Sequence, residues 1–264
     1  MDYVKGNKAA WEEAFVRAKT FGDQDVARLE QETDPFLTPA FTAVIHAYDL
    51  KGKTIGQFCS NNGRELLSVV KNCQAKAGIG FDIAENMVAQ ANRHAAESVI
   101  PCKFVATDIL ALNHDYDNRF DAVLVTIGAL CWFASLEEYF RVVRRCMKPG
   151  AVLLIQEIHP FANMLPEPGD ACYDPDHPGL PGWSYFKKEP FVDHDGMTYM
   201  VGATYESKPF TSFVHPLSDL FMALIRNRMK IVYFQESDLD VTESLPELTG
   251  HGLPLSYILV AAAE

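Results

Sequence analysis

From residue 53 to residue 158 the chain alternates short apolar runs with amphipathic stretches, and this alternation limits the possible fold more than any other feature of the sequence. Strands are expected over 54–59, 77–82, 103–108, 121–126 and 151–158. Helices are expected over 64–71, 84–98 and 136–147. Strands separated by single helices cannot be joined as hairpins. They form a parallel sheet through right-handed crossovers, with helices on both faces. The run 151–158, AVLLIQEI, is apolar on both sides of the pleat, as a strand covered on both faces must be. Lys148-Pro149-Gly150 ends the helix before it, because proline cannot continue a helix and glycine favours a turn.

Helical spacing of Trp11, Phe15 and Ala18 predicts a helix within 7–31, and a second short helix is expected over 39–48. After Pro160 the texture changes. Residues 160–210 hold most of the prolines and many aromatics, with no helical period, and read as an insertion of loops and short strands. A helix over 216–229 and strands over 230–234 and 256–262 close the chain. The expected organisation is an N-terminal helical lid (1–50), a sheet domain (51–160 and 211–264) and an inserted cap (161–210).

Composition narrows the partners. With 264 residues and 48% apolar content a sizeable core can form. A net charge of −12 disfavours nucleic acid, which needs cationic surface. The longest nearly apolar stretch, 122–134, is too short to span a bilayer and contains Thr126 and Gly128, so no membrane partner is expected. The start, MDYVKGNKAAWEEAF, lacks the apolar core of a signal peptide. The six cysteines form no C-x-x-C pair and none has zinc spacing. Asp174, Asp176 and His177 look like half of a metal site without a second half, and no metal is expected. The reading is a cytoplasmic protein with reduced thiols and a small-molecule partner.

In open α/β sheets ligands bind beyond the carboxyl ends of the strands. The first such end is Cys59-Ser60-Asn61-Asn62-Gly63. Gly63 supplies a sharp turn into a helix, and Asn61 and Asn62 tolerate positive φ. The absence of G-x-G-x-x-G argues against a pyrophosphate, which needs close backbone approach. Asp82 ends the second strand 19 residues after Gly63, near the roughly 20 expected of an acid that accepts both ribose hydroxyls. It would equally cap the helix that follows. Asp108, beside Ile109, would accept from an adenine amino group or fix a strand-end turn. The fourth strand ends at Thr126, Ile127 and Gly128, and the fifth at Glu157 and His159.

These residues resemble a known family. The turn, Asp82, Asp108, FDAVLVTIGALCWF and VVRRCMKPGAVLLIQEIHPF, in that order, are similar to a class I S-adenosylmethionine-dependent methyltransferase. Within that family the chain resembles a bacterial subgroup of small-molecule methyltransferases with Asn-Gly in the first turn. The matched features are Asn7 with Trp11, Gly128 with Trp132, Glu157 with His159 and Pro160, and His215 with Leu217. The resemblance covers residues 7–262 and is weakest over 162–210. It implies a Rossmann-like, seven-stranded, mostly parallel sheet with the last strand inserted antiparallel. It also implies S-adenosylmethionine as cofactor, contacted by Trp11, Gln57, Cys59, Asn61, Gly63, Asp82, Ile83, Met87, Asp108, Ile109, Thr126 and Ile127. Gln57 departs from the family pattern, which has an acid there.

The implied reaction is methyl transfer to a small acceptor, which the aromatic-rich cap suggests is apolar or aromatic. A nucleophile that must lose a proton would need a base, for which His159, His215 and Glu157 are the candidates. His159 would alternatively order the loop before Pro160, His215 would pack at a helix start, and Glu157 would pair with a cation. Cys131 and Trp132 read as packing. Tyr173, Tyr185, Tyr199 and Tyr205 would line a substrate site, or equally the seam of a homodimer. Two other functions fit fewer of these features: a cofactor-binding sensor or partner subunit without transferase activity, and a nicotinamide-dependent oxidoreductase.

Overall fold

The computed structural model describes residues 3–264, so the first two residues of the expected lid lie outside the described residues. Three helices come first: α1 (Tyr3–Arg17), α2 (Asp25–Gln31) and α3 (Pro39–His46). The single helix expected within 7–31 is therefore two. The break falls at residues 18–24, where Gly22 takes a φ of +83° that a helix cannot hold. Pro39 starts α3 at a position whose N–H has no helical partner, and Thr38 accepts the Phe41 N–H.

The sheet domain follows as β1 (Thr54–Phe58), α4 (Arg64–Asn72), β2 (Ala77–Asp82), α5 (Glu85–Glu97), β3 (Cys102–Ala106), β4 (Phe120–Val125), α6 (Leu136–Cys146) and β5 (Met147–Ile158). The Lys-Pro-Gly turn lies inside β5, which begins directly after α6. Gly150, at φ +74°, lets it form an irregularity in the pairing with β4 between Phe120 and Ala122. The cap contributes β6 (Phe191–Asp193), the four-residue helix α7 (Thr198–Val201) and β7 (Phe210–Ser212). β6 and β7 pair as a separate antiparallel ribbon. α8 (Leu217–Arg226), β8 (Met229–Ser237) and β9 (Ser256–Ala263) return to the sheet.

The sheet order is β3-β2-β1-β4-β5-β9-β8. β9 is inserted antiparallel between β5 and β8, and the first five strands are parallel. Alternation along the strands divides the core into two layers. Val123 and Val125 of β4 and Leu153 and Ile155 of β5 pack with Tyr139 and Phe140 of α6 and Leu224 of α8. Ala122, Leu124 and Leu154 face Leu66, Val70, Ala91 and Phe41 from the helices of the other side. Both faces are covered, which is why the central strands carry almost no polar residues. α6 is well terminated: Ser135 accepts the Glu138 N–H, with Glu137 and Glu138 at its start and Arg144 and Arg145 at its end, matching the helix dipole. Order reverses at β1 and β4, so the crevice at their carboxyl ends is the switch point of the sheet.

Candidate functional site

Three alternate residues of the β1–α4 turn have left-handed backbone: Cys59 at φ +63°, Asn61 at +49° and Gly63 at +82°. Asn62 does not, although the sequence suggested both asparagines. Gly63 is needed for space as well as conformation, because a side chain there would overlap the Phe104 ring. Asn62 is instead buried. Its amide donates to Asp25 of α2 at 2.7 Å and to Gln90 of α5 at 3.3 Å, tying the turn to the lid.

Asp82 stands beside this turn. One carboxylate oxygen accepts the Asn61 N–H at 2.8 Å, and the other accepts the Ala84 N–H at 3.0 Å. The expected cap is present, since Asp82 fixes the start of α5, and each of its oxygens has a further lone pair. Burial pushes its pKa up to about 6 against the pull of these N–H donors. Asp108 accepts the Leu110 N–H at 2.9 Å and so caps a short 3-10 turn, with Ile109 buried beneath it. Met87 is buried among Ala84, Ala18 and Met200, with Trp11 and Phe21 packed against this group. Ile83 is half-buried at the head of α5.

Gln57 is fully buried in β1. Its amide donates to the Thr126 hydroxyl at 2.9 Å, while Gln57 Oε1 has no partner within the chain. A buried acceptor left open at a strand end marks a place where a donor is missing. Ile127, the next residue after Thr126, is 38% exposed, a large apolar side chain at the mouth of the crevice.

The three candidate bases differ sharply in their surroundings. Glu157 accepts four backbone N–H groups, from Gly128, Ala129, Leu130 and Ile158, at 2.6–3.0 Å. Burial raises its pKa and these donors oppose the rise. Its lone pairs are committed to shaping the loop after β4, and among the described residues no ion pair involves it. His159 is similarly engaged. Its Nδ1 accepts the Phe161 N–H at 3.0 Å, so Nε2 carries the proton and donates to Glu236 at 3.0 Å. Burial lowers its pKa, with Glu236 opposing. His215 has only one nitrogen engaged: Nε2 donates to the Phe133 carbonyl at 2.8 Å, which leaves Nδ1 as the basic nitrogen of the neutral ring. Burial lowers its pKa also, with the Phe133 carbonyl opposing.

His215 lines a cavity of about 130 Å³ that is walled by Gly128, Leu130, Leu220, Tyr257, Phe191 and Ser212. α1 packs against β7 and the segment after β4 beside this cavity. Asn7 of α1 exchanges two hydrogen bonds with the backbone of Thr211, at 2.8 and 2.7 Å, as a neighbouring strand would. Trp11 meets Trp132 and Phe210 edge-on, each at 5.4 Å between ring centres. Asn61 reaches the Tyr199 hydroxyl at 3.3 Å, so α7 of the cap lies over the first turn. Tyr185 accepts the Leu217 N–H, while Tyr173 lies outside this assembly. Asn163, Ser212, Tyr257 and Phe210 were not singled out from the sequence, since only the fold brings them to the strand ends. Asp174 and His177 face each other at 3.0 Å in an exposed turn remote from these groups. No cluster of metal-ligating side chains occurs among the described residues. No described helix is long and apolar enough to cross a membrane.

Comparison with known proteins agrees with this geometry. Residues 56–150 match the model of a methyltransferase domain. No curated protein matches the chain. Among solved structures it is similar to an S-adenosylmethionine-dependent methyltransferase from Mesorhizobium loti, at 21% identity and a TM-score of 0.61, over 89% of this chain and 99% of that one. It is also similar to a putative S-adenosylmethionine-dependent methyltransferase from Listeria monocytogenes, at 16% identity and a TM-score of 0.65, over 85% and 98%. A third similar structure is the [4+2]-cyclase SpnF, at 15% identity and a TM-score of 0.55, over 85% and 80%. At these identities the likeness is one of fold. Residues 56–150 thus carry a methyltransferase-domain match, and the fold around them is that of S-adenosylmethionine-dependent methyltransferases of known structure.

Proposed function

We propose that the chain methylates a small-molecule acceptor held between the carboxyl ends of β4 and β5 and the cap. The observation that carries this reading is the cavity lined by Gly128 and Glu157, beyond the carboxyl ends of β4 and β5, with the half-engaged His215 in its wall. A pocket beyond the carboxyl ends of the strands with few convergent polar groups is where a small ligand is expected.

The residues present suit the cofactor. Asp82 has lone pairs left for ribose hydroxyls, and the buried, unpartnered Gln57 Oε1 would accept from an ammonium group brought against it. Cys59, Asn61 and Gly63 give the turn the left-handed backbone that lets a ligand approach closely. Asp108 and the buried Ile109 supply an acceptor and an apolar floor for a base, and Ile127 an apolar flank. When bound, the cofactor supplies an electrophilic methyl group on a cationic sulfur. The protein's part is to orient the acceptor, exclude water by closing Trp11, Trp132 and Phe210 together, and receive a proton on His215. Glu157 and His159 are positioning residues in this scheme.

A second reading keeps cofactor binding but not transfer. Gln57 motivates it, since a neutral amide gives a cationic ammonium less electrostatic support than a carboxylate. The likeness to a cyclase shows that this fold serves other reactions too. The two readings separate in one experiment: incubation with S-adenosylmethionine carrying a labelled methyl group and a panel of small acceptors. Labelled product supports transfer. Tight binding of S-adenosylhomocysteine with no labelled product from any acceptor class would replace it with the second reading.

A further inference from the structure

We propose that the acceptor is a neutral, single-ring phenol, and that the cavity rejects carboxylate- and phosphate-bearing molecules. The inference rests on the methyl-transfer reading above and deepens it. The cavity measures about 130 Å³. A cavity of about 150 Å³ in another protein accommodates benzene, so this one is about the size of a single ring. Its walls contain no lysine and no arginine. The one carboxylate among them, Glu157, is committed to four N–H groups of its own chain. An acceptor anion would therefore enter without a cationic side chain to pair with, close to a carboxylate, in a protein of net charge −12. Burying an unpaired charge is among the costliest things a site can do.

The polar groups that remain suit a neutral molecule. Asn163 and Ser212 line the cavity and make no side-chain hydrogen bond among the described residues. They can meet a second hydroxyl or an ether oxygen on the ring. His215, with Nε2 held by the Phe133 carbonyl, offers Nδ1 as a proton acceptor. A phenol has a pKa of about 10, as in tyrosine, within reach of proton transfer to imidazole as the oxygen attacks. An aliphatic alcohol is far less acidic, and an aliphatic amine enters protonated and without a free lone pair. In the step, the phenol oxygen forms the new O–C bond to the methyl carbon while its proton passes to Nδ1. The broken C–S bond returns its electron pair to sulfur, giving S-adenosylhomocysteine. The imidazolium releases the proton to solvent.

Phenol and benzoate share a ring and differ in charge, so they are the probes. Each is titrated calorimetrically into the full-length protein with S-adenosylhomocysteine present in excess, at pH 7.5. Phenol is expected to bind at least about tenfold more tightly than benzoate. Ser212→Trp, which fills the cavity, is expected to weaken phenol binding by about tenfold or more while leaving S-adenosylhomocysteine binding unchanged. The comparison in the unmodified protein stands even if that variant does not fold. Benzoate binding as tightly as phenol, or no phenol binding to a protein that does bind S-adenosylhomocysteine, overturns the proposal and leaves methyl transfer intact. Failure of S-adenosylhomocysteine itself to bind overturns the underlying reading instead.

Discussion

Glu157 makes a clear case of a charged residue whose neighbours decide its role. Four N–H donors converge on its two oxygens. Glu157→Gln turns one oxygen into a donor that faces donors. The expected loss is about 2–4 kcal/mol of stability, lowering the melting temperature by roughly 5–10 °C. A calorimetric scan checks it, and an unchanged melting temperature would contradict the loop-shaping role. His215 belongs to the other kind. His215→Ala is expected to lower kcat by about 100-fold or more while changing S-adenosylhomocysteine affinity little. Because burial lowers its pKa from 6.5, the ring is neutral at pH 7, and activity should fall as pH drops through that lowered value. A kcat profile flat from pH 5 to 8 in the unmodified protein would remove His215 as base. The sequence could not rank Glu157, His159 and His215. Their partners Gly128, Glu236 and Phe133 lie 29, 77 and 82 residues away, and hydrogen bonding across such distances leaves no local pattern.

At the scale of elements, the β1–α4 turn shows how backbone conformation can outlast the residue that usually provides it. Cys59 and Asn61 hold left-handed φ without being glycine, and such positions carry strain for a non-glycine residue. Gly63 cannot be replaced as Cys59 and Asn61 have been, since the Phe104 ring fills the space a side chain would need. Gly63→Ala is expected to cost about 2–4 kcal/mol, and chemical denaturation should show it; a loss below about 0.5 kcal/mol would mean the turn can relax. The strand and helix pattern of the sheet was legible because period and turn chemistry agreed over residues 53–158. The cap was not legible in the same way. β6 and β7 are three residues each, too short for an alternating pattern, and β7 is stabilised by Asn7 from the other end of the chain. The break between α1 and α2 was missed because the apolar positions Trp11, Phe15 and Ala18 stop short of it. Gly22, the local signal of the break, lies beyond them.

Across the whole molecule, lid, cap and sheet meet over one crevice. Asn62 joins the first turn to α2, Asn7 joins α1 to β7, and Trp11 joins both to Trp132. Asn7→Ala removes two hydrogen bonds between segments 204 residues apart. It is expected to raise amide hydrogen exchange in α1 and β7 by about tenfold, with the sheet core unaffected. Equal exchange in variant and unmodified protein would mean the aromatic contacts alone close the lid. The overall architecture followed from the order of motifs along the chain. Acceptor choice did not, because the cavity is built from residues 128–257 contributed by the segment after β4, α6, β5, the cap, α8 and β9.

The central claim is that this crevice holds the methyl donor through Asp82, and a calorimetric titration with S-adenosylhomocysteine tests it most directly. The unmodified protein is expected to bind at about micromolar concentration at pH 7.5, and Asp82→Ala at least about tenfold more weakly. Affinity should also fall as pH is lowered through about 6, where Asp82 takes up a proton and loses acceptor capacity for the ribose. A folded, unmodified protein that shows no binding at millimolar S-adenosylhomocysteine, or an Asp82→Ala variant that binds equally well, would contradict the account.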